Sequence, residues 1–352
     1  MSWVSYFLIA LPLSFLMVVL LTPYVTKFAL KYRVVDDPKE AKRKIHTQVT
    51  PRLGGVALFV AFFLLAPMLV RPLPANFIGL VIACALVFAI GLLDDFRRVS
   101  PWLKLAVQLI AAIIAVVGFG IRVDVISNPF GQQLSLGTLS GFGIVSVSVI
   151  FSVLWLVGMT NTINFLDGLD GLASGITGVA ALILFFVAML PRINQPGTAM
   201  MAILILGICL GFLVYNFHPA SIFLGDSGAY FLGMIIGLLS IISGAKLATA
   251  LLVLGVPVLD AVWAVVRRLA TGKSPFSADR GHIHHLLLDV GFSQTQAVLL
   301  LYALALVFGL VALIGSGREK AIALTVLCMV VIFGVALLIL KRRSIRARLG
   351  SD

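Results

Sequence analysis

The stretch NTINFLDGLDGLASG, Asn161 to Gly175, decides how this chain is read. A long uncharged run precedes it, and an apolar run resumes at its far end. Asp167 and Asp170 therefore stand next to hydrocarbon-loving sequence, in a chain with only 14 acidic residues. Two carboxylates in that setting need a stated purpose.

The surroundings fix the class. Hydrophobic residues make up 61% of the 352, charged residues 11%, and mean hydropathy is +1.13. A soluble domain would carry about a quarter charged residues. Apolar runs fall at 4–24, 53–70, 76–93, 102–119, 143–163, 172–190, 198–216, 229–243, 247–266, 297–315 and 321–340. Most reach the roughly 17–25 residues that cross hydrocarbon. Backbone polar groups must be paired inside lipid, so these runs are expected as helices. The reading is an all-α polytopic membrane protein of eleven spans. One transmembrane domain, 1–352, carries polar loops at 25–52, 94–104, 164–171, 217–228 and 267–296.

Lys and Arg set the orientation. Twenty of the 26 lie in the segments 25–52, 94–104, 267–296 and 341–352, and the alternate loops hold six. The positive-inside rule puts the twenty in the cytoplasm, the N-terminus outside and the C-terminus inside. The formal charge of +12 then reflects topology and contact with anionic membrane lipids, not nucleic acid. The first run lacks a basic lead and a small-residue cleavage site, so it reads as a retained span. Cys84, Cys209 and Cys328 all sit in apolar runs, with no metal or disulfide spacing.

On this map the acids gather on the cytoplasmic side. They punctuate GLLDDFRR (91–98), NFLDGLDG (164–171), NFHPASIFLGDSG (216–228) and PVLDAVWAVVRR (257–268). Asp260 lies in the ninth span, seven residues before Arg267. Carboxylates at helix ends are commonly just solvated, but acids near membrane spans usually line an interior or bind something. The loops 164–171 and 217–228 contain no Lys or Arg, so they cannot neutralise their own acids locally. A divalent cation could, since Mg²⁺ takes one or two carboxylates plus substrate phosphates. Asp226, between the glycines of FLGDSG, is the expected ligand, with Asp167 as a second candidate and Mn²⁺ as a substitute ion.

The last polar loop has the opposite character. RRLATGKSPFSADRGHIHHLL (267–287) gathers Arg267, Arg268, Lys273, Arg280, His282, His284 and His285. No Cys or acid stands at tetrahedral zinc spacing. Arg grips phosphate in a two-pronged way and His donates hydrogen bonds, so the loop reads as a phosphate clamp. Lys44 and His46, ahead of Pro51 and Gly54–Gly55, are further phosphate candidates. An acidic Mg²⁺ pocket beside a basic clamp suits a diphosphate substrate.

Taken together, DD at 94–95, NFLDGLDGLASG at 164–175, NFHPASIFLGDSG at 216–228 and SPFSADRGHIHH at 274–285 resemble one family. It is the polyprenyl-phosphate N-acetylhexosamine-1-phosphate transferases, which include the MraY, WecA and TagO types. The resemblance runs from Asp36 to about Phe292 and implies an eleven-helix fold with an outside N-terminus. It implies that undecaprenyl phosphate attacks the β-phosphorus of a UDP-sugar, with Mg²⁺ required and UMP leaving. It also implies roles by position. Asp226 matches the metal-binding aspartate, and Asp94 the residue proposed as base, with Asp95 beside it as a further catalytic acid. Asn164, Asp167, Asp170 and Asn216 match pocket positions, the last two near the uridine. His282, His284 and His285 match the histidine motif at the diphosphate or sugar. MraY-type chains carry a three-histidine run, whereas HIHH after SPFSADR resembles the WecA and TagO types. UDP-N-acetylglucosamine (UDP-GlcNAc) is then the expected donor rather than UDP-MurNAc-pentapeptide, with Arg280 holding the sugar-phosphate. The resemblance further implies a bacterial plasma-membrane enzyme at the first membrane step of a cell-envelope glycan, and a homodimer. The rival from another class is an ion-coupled secondary transporter, but transporters place their sites near the bilayer midplane.

Overall fold

Lipid leaves a spanning backbone little choice, and the apolar runs do fold as α-helices. The computed structural model describes residues 3–36, 49–71, 73–126, 134–137, 140–141, 145–243, 247–272, 274, 281–315 and 317–349. The helices are α1 (Trp3–Lys31), α2 (Gly54–Leu69), α3 (Phe77–Phe96), α4 (Pro101–Ile113), α5 (Val147–Leu166), α6 (Leu172–Met189) and α7 (Pro196–Asn216). They continue as α8 (Gly225–Ile242), α9 (Leu247–Val253), α10 (Gly255–Ala270), α11 (Ile283–Asp289), α12 (Gln294–Ile314) and α13 (Gly317–Leu349). Among the described residues, nine helices are long and apolar enough to cross a membrane. The chain is an all-α, multi-pass membrane protein.

Local sequence explains several helix starts. Ser100 accepts the Leu103 N–H and Pro101 opens α4, where a missing N–H is harmless. Ser146 caps α5 in the same way. Ser293 and Gln296 form a reciprocal capping box at α12.

Three expectations need correction. The ninth run, 247–266, is not one helix: it breaks at Leu254 into α9 and α10. The second is a 16-residue helix, short for a span. The polar loops are also shorter than hydropathy suggests. α3 runs through Asp94 and Asp95 to Phe96, and α8 begins at Gly225, so Asp226 sits in a helical first turn. Hydropathy ends a span at the first charge, whereas a helix continues while its backbone partners last.

α7 and α8 are the most buried helices, and α1 and α13 the most peripheral long ones. α8 packs between α3 and α5, and α7 between α1 and α6. This arrangement brings the ends of α3, α5 and α8 together. A further clamp comes from β1 (Val35–Asp36) and β2 (Thr50–Pro51), which pair antiparallel. Beyond β2, the Phe223 N–H donates to the Pro51 carbonyl, and the Gly54 and Gly55 N–H groups donate to the Phe223 and Leu224 carbonyls. The start of α2 is thereby tied to the segment leading into α8.

Candidate active site

Asp95 is the hub of the acidic cluster. Its side chain is fully buried, and its Oδ1 accepts the Asp226 N–H at 2.9 Å and Arg52 Nη2 at 3.1 Å. Oδ2 accepts the Ser227 N–H at 3.1 Å and the Ser227 hydroxyl at 2.6 Å. The carboxylate thus satisfies the first N–H groups of α8, where the helix dipole favours negative charge. All of this requires close backbone approach. Gly225 has φ +75°, and a Cβ there would lie 2.7 Å from Asp95 Oδ2. Only glycine fits both the conformation and the space. Four donors occupy its oxygens, and in this structure Asp95 acts as the anchor of α8.

Asp226, anchored in this way, points its own carboxylate elsewhere. Oδ1 accepts Asn164 Nδ2 at 3.2 Å from the end of α5. Oδ2 lies 3.1 Å from Lys104 Nζ, and the same ammonium lies 3.2 Å from Asp94 Oδ2. Asp94 Oδ1 accepts the Val99 N–H at 2.7 Å, which fixes it at the α3–α4 turn. Two carboxylates from different helices therefore converge on one positive charge. In the sequence, Lys104 and Arg52 count only toward the basic total of their segments, and the loops 164–171 and 217–228 contain no cation of their own. The fold supplies both cations from other segments. A signal for Lys104 did exist: a lysine in the first turn of a helix opposes the dipole and needs an anion partner.

Asp167 ends α5 and is half-buried. Burial, then the carboxylates of Asp226 and Asp95, push its carboxyl well above the usual range. Asp167 is therefore held toward its protonated, neutral form. A cavity of about 350 Å³ adjoins it, bordered by Arg33, Asp36, Arg52, Asp94, Asp95 and Arg98.

The DGLDG turn connects this cluster to two others. Asp170 Oδ2 lies 2.7 Å from His218 Nδ1 and accepts the Ala220 N–H at 3.1 Å. Asn216 is buried: its Oδ1 accepts the Gly171 N–H and the Ser174 hydroxyl, and its Nδ2 donates to the Ile222 carbonyl. Its amide is a strut joining the DGLDG turn to the segment before α8. Gly171 has φ +79°, and its carbonyl accepts the Tyr302 hydroxyl.

On the other side of the turn lie the histidines. A Cβ at Gly168 would lie 2.7 Å from His284 Nε2. The His282 and His284 rings are parallel within 8° at 5.5 Å, and His285 is 4.3 Å from His284. Burial, then His285 and His282, hold the His284 imidazole well below the usual histidine range, so it is neutral near pH 7. It can donate a hydrogen bond but brings no charge. Arg268 stands beside His282, with Nη2 3.3 Å from its Nε2, and lies 5.5 Å over the Phe165 ring. Lys44, His46 and Arg280 lie outside the described residues.

The acids and histidines thus meet around the end of α5. Among the described residues no group of three or more acids, histidines or cysteines is arranged as a ready metal site. Two carboxylates on one cation are what Mg²⁺ asks of a protein when phosphates complete its shell. The carboxyl oxygens of Asp94, Asp226 and Asp167 fit that ion, whose charge would favour the ionised form of Asp167.

Comparison with known proteins gives the family. Residues 77–244 match glycosyl transferase family 4. A probable undecaprenyl-phosphate N-acetylglucosaminyl 1-phosphate transferase of Bacillus subtilis is 33% identical over 92% of this chain and 89% of its own. A decaprenyl-phosphate N-acetylglucosaminephosphotransferase of Mycolicibacterium smegmatis is 36% identical over 80% and 75%. An undecaprenyl-phosphate alpha-N-acetylglucosaminyl 1-phosphate transferase of Thermotoga maritima is 32% identical over 89% and 92%. The chain belongs to glycosyl transferase family 4, among the membrane-bound polyprenyl-phosphate N-acetylhexosamine-1-phosphate transferases.

Proposed function

We propose that the chain transfers N-acetylglucosamine-1-phosphate from UDP-GlcNAc to undecaprenyl phosphate. An oxygen of the lipid phosphate bonds to the β-phosphorus of the donor. The bond from that phosphorus to the bridging oxygen breaks, and UMP leaves with the electron pair. The observation that carries the reading is the convergence of Asp94 and Asp226 on Lys104 at the end of α5, in a chain whose relatives bear those names.

Phosphoryl transfer needs positioning and charge neutralisation more than covalent help. A phosphate monoester loses its second proton near about pH 6, so the nucleophile is mostly ionised at neutral pH. Asp94 then has little need to act as a base. Both of its oxygens have partners, which suits a positioning role between Lys104 and the acceptor. Asp226 would hold Mg²⁺, with Asp94 or Asp167 as the second carboxylate. When bound, the ion supplies neutralisation of charge on the diphosphate. Lys104 and Arg52 offer positive charge to the phosphates, and His284 and His285 offer hydrogen bonds at the sugar-phosphate side. The site faces the cytoplasm of a plasma membrane, which the 20-to-6 split of basic residues supports.

Purified protein in detergent with lipid phosphate and Mg²⁺ should release UMP from UDP-GlcNAc. It should release none from UDP-MurNAc-pentapeptide. Release from the pentapeptide donor alone would move the chain to the MraY type. Release from neither, in folded protein, would reject the reaction.

A further inference from the structure

A second buried carboxylate, outside the acidic cluster, is wired to the histidine loop. Asp260 lies in the second turn of α10, 22 residues before His282, and its side chain is only 6% exposed. Oδ2 is 2.9 Å from His282 Nδ1, and Oδ1 accepts the Ile283 N–H at 2.9 Å. On the far side of the same ring, His282 Nε2 is 3.3 Å from Arg268 Nη2. His282 and Arg268 are each 5% exposed. Asp260 also borders an apolar groove of about 350 Å³ between α10 and α13.

The direction of this chain follows from what each group can do. A guanidinium only donates hydrogen bonds. His282 Nε2 must then accept, so in the neutral ring the proton sits on Nδ1 and is donated to Asp260. From these contacts we infer that Asp260 is a positioning residue for the transferase site. It selects the Nδ1–H tautomer of His282 and fixes the ring, and the ring in turn aims the Arg268 guanidinium over Phe165. Phe165 and Asn164, whose amide holds Asp226, both lie in the last turn of α5, so Arg268 stacks on the helix end that also carries the acidic pocket. Nothing in the sequence pattern assigns Asp260 this role. A fork of donors fixed in advance needs no rearrangement during transfer. The inference rests on the proposed reaction for its activity arm only.

The test uses the full chain in detergent. In protein labelled with ¹⁵N-histidine, the His282 signal is assigned by its loss in His282→Gln, and its ring shifts report which nitrogen carries the proton. The wild type should show Nδ1–H. Asp260→Asn offers one acceptor oxygen where the carboxylate offers two. It should shift His282 toward Nε2–H and lower kcat for UMP release from UDP-GlcNAc at least tenfold. Asp260→Glu, which keeps both acceptors, should lose less. A wild-type Nε2–H signal overturns the relay without any variant, even if Asp260→Asn does not fold. So does a loss under tenfold, or a tenfold loss with the tautomer unmoved, which would make Asp260 a purely structural clamp. Absence of UMP release by the wild type would reject the proposed reaction, while the ¹⁵N signal would still decide the relay.

Discussion

The carboxylate of Asp95 holds the backbone of Asp226: its Oδ1 accepts the Asp226 N–H at 2.9 Å. Adjacent acids at 94 and 95 therefore have separate duties, one facing Lys104 and one facing the start of α8. Asp95→Ala would leave two α8 N–H groups and the Arg52 guanidinium without their anion. Losing one partner of a buried ion pair costs about 3–5 kcal/mol. Thermal unfolding in detergent should show a clear fall in Tm for Asp95→Ala. Asp226→Asn, which keeps the α8 backbone contacts, should unfold near the wild type. Equal Tm values for wild type and Asp95→Ala would show that the anchor is dispensable.

Lys104 occupies the position between Asp94 and Asp226 where a second cation would be attracted. If ammonium and Mg²⁺ compete for the same carboxylates, Lys104→Met should bind the ion more readily while neutralising the phosphates less well. The expected pattern is kcat/KM reduced at least tenfold, about 1.4 kcal/mol, with half-maximal activity reached at lower Mg²⁺. Asp226→Asn should lose activity at every Mg²⁺ concentration, since lost metal catalysis is worth several kcal/mol. Activity above about a tenth of wild type in Asp226→Asn would rule out the ligand role.

The buried, neutral His284 makes stability depend on pH. Its folded pKa is depressed, whereas an unfolded histidine titrates near about 6.5. Below that pH the unfolded chain takes up a proton that the folded chain refuses. Stability from this residue is thus present above about pH 6.5 and declines as pH falls toward the folded value, by up to about 1.4 kcal/mol per unit. Wild type and His284→Phe, melted side by side at pH 7.5 and 5.5, should differ in acid sensitivity, with the variant losing less. Parallel losses would place the titration elsewhere.

The membrane orientation is open to direct labelling. In a background lacking Cys84, Cys209 and Cys328, single cysteines at positions 122 and 192 should react with an impermeant maleimide added outside intact cells. Cysteines at positions 98 and 226 should react only after the membrane is opened. Labelling of position 226 from outside would invert the charge-based topology and move the site to the other face.

Much of this was written in the sequence. Eleven apolar runs declared a polytopic helical protein because lipid forbids unpaired backbone. The acids and glycines of NFLDGLDG and FLGDSG marked one end of the bundle as the site, because charge beside hydrocarbon demands a partner. Composition and spacing are local, however, and partners are not. That Asp95 serves backbone while Asp94 serves Lys104 depends on helix phase and on α8 packing against α3, which a pair of adjacent letters does not reveal. Arg52 lies 43 residues from Asp95, and Lys104 lies 122 residues from Asp226. Asn216 looked like a pocket amide until its oxygen was found on Gly171 and Ser174. Asp260 looked like one more acid near a helix end until His282 lay against it. The sequence determined which chemistry the protein carries, through what lipid and charge tolerate. Tertiary packing alone decided which groups are free to perform it, because hydrogen-bond partners are chosen by distance in space.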